Sequence, residues 1–190
     1  MLLYYIFSFS RTLQNALLLC ASLIFYAWGE PVYVFLMIAS IVFNWGMGWI
    51  TDRKTGKKRK FWLWLAVSAN LASLFVFKYL GFVMGIFGVE ETFFSFPLPI
   101  GISFFTFQAL SYVVDVYFEK TRADTLFHVG LYIAFFPQLI AGPIIQYNSV
   151  AEQIRSRKTS FDMLALGLCR FTTGLGKKGA AKQLLCDDRG

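Results

Sequence analysis

The chain has 190 residues, of which 57% are hydrophobic and only 15% charged, with a mean hydropathy of +0.56. A water-soluble domain of this size needs a larger polar shell, so composition excludes an ordinary globular protein. The net charge of +7 is gathered beside apolar runs rather than spread as a nucleic-acid footprint, and nucleic acid is not an expected partner.

Five runs lack any acidic or basic side chain: residues 12–29, 31–51, 61–77, 92–114 and 125–151, the last holding only His128. A bilayer core of about 30 Å takes roughly 20 residues of helix. Three runs reach that length, 12–29 falls just short, and 61–77 reaches it once Lys78 and Tyr79 snorkel at its end. The fold class predicted is therefore all-α, a polytopic transmembrane protein in a lipid bilayer. Tyr26, Trp28, Trp45, Trp49, Trp62 and Trp64 fall near span ends. They serve either as interfacial belt residues or as packing between helices.

In chain order, residues 1–9 form an apolar stub stopped by Ser10 and Arg11, with no leading positive charge and no signal-cleavage pattern. The 12–29 helix ends at Gly29-Glu30-Pro31, where glycine releases one helix and proline opens the next. Residues 31–50 form a full span, in which Gly46 and Gly48 allow close approach of a neighbour. Asn44 here and Asn70 in the next span are expected to bind neighbouring helices. Between these spans, residues 52–60 carry six positive charges and one negative. This loop is expected on the cytoplasmic side.

The chain returns across through residues 61–80, and Gly81, Gly85, Gly88, Glu90 and Glu91 then form an outer connection. Pro97 and Pro99 flank the start of the next helix, residues 100–117. There Phe104, Gln108, Ser111 and Asp115 share one helical face. An amide and a carboxylate at membrane depth either line a substrate tunnel or act as a structural clamp. The plainer alternative is that Asp115 caps or pairs with a loop Lys or Arg. Residues 119–124 form a charged loop of zero net charge.

Residues 125–151 are long enough to cross, but Gly142-Pro143 interrupts them. Broken backbone at that depth needs cover from protein or a polar cavity. We expect a re-entrant segment, which keeps Arg155, Arg157 and Lys158 on the side of the 52–60 loop. Ser160 is the predicted cap of an amphipathic stretch over 161–173. A polar tail opens at Gly174-Leu175-Gly176-Lys177-Lys178, whose spacing matches no P-loop. Cys20, Cys169 and Cys186 lack metal-ligand spacing, and Cys20 is expected to pack. No metal or cofactor is implied. His128 has no recognisable nucleophile beside it and is expected to anchor at the interface.

Four stretches together resemble the membrane-bound O-acyltransferase family, in its alginate O-acetyltransferase and teichoic-acid D-alanyl-transfer branch. They are NALLLCASLIFYAW at 15–28, LPIGISFFTFQALSYVVDVY at 98–117, FFPQLIAGPI at 135–144, and Arg170-Phe171 leading to Gly174 and Lys177-Lys178. The resemblance implies a bacterial cytoplasmic-membrane protein and a funnel of tilted helices. An acyl donor approaches from the cytoplasm, and a partner protein or polysaccharide receives the group outside. It also implies a histidine in a Trp-His-Gly setting, to which nothing here corresponds.

Residues 1–178 are accordingly expected to be the front part of such a domain and 179–190 an atypical polar tail, leaving the chain without a catalytic residue and inert alone. Gln108, Ser111, Asp115, Gly142 and Pro143 are the candidate tunnel or structural residues. Arg170, Lys177 and Lys178 are the candidate cytoplasmic-side electrostatic ones. A transporter or channel fragment and a non-enzymatic scaffold are the rival readings.

Overall fold

The computed structural model describes residues 10–86, 99–139, 144–156 and 161–187. Among these the chain is all-α, and its contacts divide it after Ser156 into two units. The first contains α1 (Arg11–Gly29), α2 (Tyr33–Arg53), α3 (Gly56–Lys78), α4 (Leu80–Ile86), α5 (Ile102–Tyr117), α6 (Leu126–Ala134), α7 (Phe136–Leu139) and α8 (Tyr147–Arg155). The second contains α9 (Phe161–Asp187). Three described helices, α1, α2 and α3, are long and apolar enough to cross a membrane.

The helix ends follow local chemistry. Gly29 closes α1, where the Glu30 N–H still donates to the Tyr26 carbonyl at 2.8 Å. Pro31 sits in the turn that opens α2, and the Val34 N–H donates back to the Glu30 carbonyl. The basic connection is shorter than expected. Helix α2 runs on to Arg53 and α3 begins at Gly56, whose φ of +59° makes the reversal, so most of the cations lie on helix ends. Lysine and arginine are good helix formers, and nothing at Lys57–Lys60 stops the turn. At the start of α5, Gly101 has φ +76° and the Ile102 N–H donates to the Pro99 carbonyl.

Helix α5 is central, packing against α2, α3, α6 and α8. Its Phe105, Ala109, Tyr112, Val113 and Val116 form the core with Met37, Ile41 and Met47 of α2 and Val129 and Ile133 of α6. Gly48 admits the Tyr112 ring, as a small residue at a helix crossing should, whereas Gly46 faces open space. The Asn44 and Asn70 amides bind each other reciprocally across α2 and α3, at 3.1 and 2.8 Å. Large apolar side chains point outward, including Trp28 (91% exposed), Phe35 and Phe82. Contiguous apolar exposure on that scale suits hydrocarbon rather than water.

Within its described residues the 125–151 segment is already interrupted at Phe135, which is extended between α6 and α7. Pro137 supplies the reason: in a continuous helix its ring would clash with the Ile133 carbonyl, and its missing N–H would leave that carbonyl unbonded. Gly142 and Pro143 lie outside the described residues, as does Ser160. In the second unit α9 does not stop near Thr173 but continues as helix through Gly174 and Gly176 to Asp187.

Candidate functional site

The polar face of α5 is where the sequence places chemistry. Gln108 and Asp115 are almost fully buried, and Phe104 and Ser111 are half-buried. The Gln108 Oε1 is a buried acceptor without a donor. Tyr132 of α6 donates its hydroxyl to the Ile145 carbonyl at 2.6 Å. Asp115 accepts from the Asn148 N–H at 3.2 Å and lies 3.7 Å from the Lys120 ammonium.

One turn beyond, a residue not singled out in the sequence gathers the densest set of partners. The Asp124 carboxylate accepts from the Thr125 N–H at 2.7 Å, the Tyr147 hydroxyl at 2.8 Å and the Arg155 guanidinium at 2.8 Å, and it meets His128 Nδ1 at 2.8 Å. Its backbone is held too, with Trp45 Nε1 donating to its carbonyl at 2.9 Å. Tyr112 and Tyr132 each set an edge against the Tyr147 ring, with centroids 4.9 and 5.0 Å away. Burial pushes the Asp124 carboxyl up, but the donors, His128 first, outweigh it and hold the group below the usual carboxylate range. Asp124 and His128 stand four residues apart around the start of α6. That spacing, with an arginine downstream, was the available signal.

The same end of the first unit collects further charge. Arg59 of α3 pairs with Glu119 and donates to the Val116 carbonyl at 2.8 Å, capping α5. Asn15 of α1 donates to the Ile154 carbonyl at 3.0 Å. The opposite end holds Tyr26, whose hydroxyl donates to the Ile100 carbonyl, and Gly101 against Leu139. Between α2, α3 and α5 lies a cavity of about 230 Å³, lined by Leu36, Ser40, Ala69, Asn70, Phe105 and Thr106 among others.

No cluster of His, Cys, Asp and Glu among the described residues is arranged to hold a metal. Cys20, expected to pack, is exposed on α1. His128 sits against Asp124 rather than alone. Arg170, Lys177 and Lys178 are exposed on α9, in the second unit.

Comparison with known proteins gives the context. The chain is 36% identical over 178 residues to the probable alginate O-acetylase AlgI of Pseudomonas aeruginosa, covering 87% of this chain and 34% of that protein. It is 37% identical over 177 residues to the probable alginate O-acetylase AlgI of Azotobacter vinelandii, covering 87% and 35%. The peptidoglycan O-acetyltransferase of Helicobacter pylori is 32% identical over 194 residues, covering 85% and 37%. The chain is a homologue of these O-acetyltransferases. That bears out the membrane-bound O-acyltransferase resemblance carried by its motifs. This O-acetyltransferase homologue spans about a third of the length of the curated relatives it matches. No protein-family model and no solved structure matches it.

Proposed function

We propose that this chain forms part of the helical wall of a membrane-bound O-acetyltransferase. The complete protein would take an acetyl group from a cytoplasmic donor, breaking the donor's acyl–carrier bond, and form an ester with a hydroxyl of an envelope polysaccharide; a base removes the hydroxyl proton and the released carrier takes it up. The identity of about 36% to alginate O-acetylases over 87% of the chain carries this reading, and three candidate spans support it. The polar face of Gln108, Ser111 and Asp115 is the stretch of wall facing the transferred group or steadying its path. Arg170, Lys177 and Lys178 act on the cytoplasmic side. None of the residues named here serves as that base in this reading.

Residues 125–155 form a re-entrant hairpin in this reading. Three contacts support it: Thr125 starts at Asp124, Leu139 approaches Gly101 at the far end of α5, and Arg155 returns to Asp124. The described helices of the hairpin pack against α1 and α5, the kind of cover that broken backbone at membrane depth requires.

The test is a chimera in which this chain replaces the matching third of the Pseudomonas aeruginosa relative, in a strain lacking that gene. Polymer acetyl ester is then measured. Acetylation restored by the chimera, and absent with the chain alone, is the expected result. A chimera that inserts normally yet transfers nothing, or polymer acetylated by the chain alone, overturns the proposal.

A further inference from the structure

The second unit contains a helix from which the acyl-transfer reading uses only the charges of Arg170, Lys177 and Lys178. Helix α9 has 27 residues, more than any of the three candidate spans, yet it is not among the helices apolar enough to cross. Its side chains are exposed from Asp162 to Lys178. Leu164, Leu168, Phe171 and Leu175 recur at spacings of four, three and four and fall on one face, with exposures of 40, 57, 67 and 60%. Asp162, Arg170, Thr173 and Lys177 share the opposite face, where Leu166 and, beside Arg170, Met163 are the large apolar exceptions. Lys178 flanks the stripe beside Leu175.

Charge and hydrogen bonding together indicate what this stripe meets. From Asp162 to Lys178 there are three cations, Arg170, Lys177 and Lys178, and one anion, Asp162, which leaves two net positive charges. The Thr172 hydroxyl, which faces the stripe side, donates to its own helix at the Leu168 and Cys169 carbonyls, both at 3.0 Å. The Thr173 hydroxyl donates to the Cys169 carbonyl at 2.7 Å. Neither hydroxyl needs water or a partner chain, so the helix can place that side in an apolar medium at little cost. A helix with an apolar stripe, a basic opposite face and too much charge to span lies in the plane of a bilayer surface.

We infer that α9 is an interfacial helix that binds an anionic lipid surface. Leu164, Leu168, Phe171 and Leu175 enter the acyl region, while Arg170, Lys177 and Lys178 meet lipid phosphates. Basic residues beside an anionic leaflet each shift the bound population several-fold, and salt screens that attraction. This inference is independent of acyl transfer, because it concerns depth in a membrane rather than catalysis.

The test uses the full chain in lipid nanodiscs. Cys20, Cys169 and Cys186 are replaced by serine, and single cysteines carrying a nitroxide are placed in turn at positions 164, 168, 171, 175, 170, 173 and 177. Collision with oxygen and with a water-soluble nickel chelate reads depth. With phosphatidylglycerol present, the four stripe positions should favour oxygen and the other three nickel. In a further double variant labelled at 171, Lys177→Gln with Lys178→Gln should lower the bound-to-released ratio by about an order of magnitude. High salt over pure phosphatidylcholine should do the same to the unaltered chain. High oxygen collision at all seven positions would mean a spanning helix, and low collision with both reagents a helix covered by protein. High nickel at all seven would mean a helix in water. Each of these three patterns overturns the inference, as does a depth profile indifferent to lipid charge.

Discussion

Replacing Asp124 by alanine perturbs the point where most elements meet. The Tyr147 ring is fully buried, so its hydroxyl loses its acceptor with no water at hand, a loss of about 1–3 kcal/mol. Arg155 has 44% of its side chain exposed and returns to solvent, so its share is under about 1 kcal/mol. The Thr125 N–H and His128 Nδ1 lose an acceptor that water partly replaces. Relief from burying a carboxylate offsets some of this. The expected net destabilisation is about 2 kcal/mol, the larger part from Tyr147. Reversible unfolding in detergent measures it, and in a background with Trp28, Trp49, Trp62 and Trp64 replaced by phenylalanine, Trp45, whose indole donates to the Asp124 carbonyl, is a local fluorescent reporter. Tyr147→Phe and Arg155→Gln should each cost less than Asp124→Ala. If Asp124→Ala unfolds within about 0.5 kcal/mol of the parent, with the Trp45 signal unmoved, the cluster is not what secures this end of the fold.

The remaining predictions concern protons and packing. Because the folded Asp124 carboxyl lies below its ordinary value, its contribution is full above about pH 4 and is lost as pH falls through the lower folded value. The stability difference between the parent and Asp124→Asn should therefore be constant at neutral pH and vanish in acid. Gly48→Ala would place a methyl on the Tyr112 ring, 2.7 Å from Cζ, and should destabilise by about 1–3 kcal/mol. Gly46→Ala meets nothing within 4 Å and should be neutral or stabilising by up to about 1 kcal/mol; unfolding of the pair in one detergent compares them. Asn44→Leu leaves Asn70 without its partner and should cost about 0.6–1.7 kcal/mol. Adding Asn70→Leu should recover part of that, a coupling that a double-mutant cycle reads.

Three of the five uncharged runs were legible as candidate spans, because long uncharged runs admit few alternatives, and Gly29-Pro31 marked one boundary unaided. The Asn44–Asn70 pair was foreseeable because a buried amide in a span must find an acceptor. The Phe135 break is less legible, because Gly142-Pro143 is the stronger breaker signal although Pro137 disrupts the helix sooner. The turn at Lys54-Thr55 was drawn too long, because charge marks the membrane boundary and not the end of a helix. Asp124 was hidden for a different reason. Its partners Tyr147 and Arg155 stand 23 and 31 positions away, so only the folded chain brings them together. His128 was dismissed for want of a nucleophile, when its relevant neighbour was an acid one helical turn back.

The separations around Asp124 also bear on how the protein is made. Trp45 precedes it by 79 residues and Arg155 follows it by 31. During synthesis the indole is in place long before the guanidinium exists, and the carboxylate emerges into a half-built socket. Tyr147 and Arg155 emerge only after the carboxylate, so the socket has its full set of side-chain donors once both have been made, with the buried tyrosine the weightier arrival.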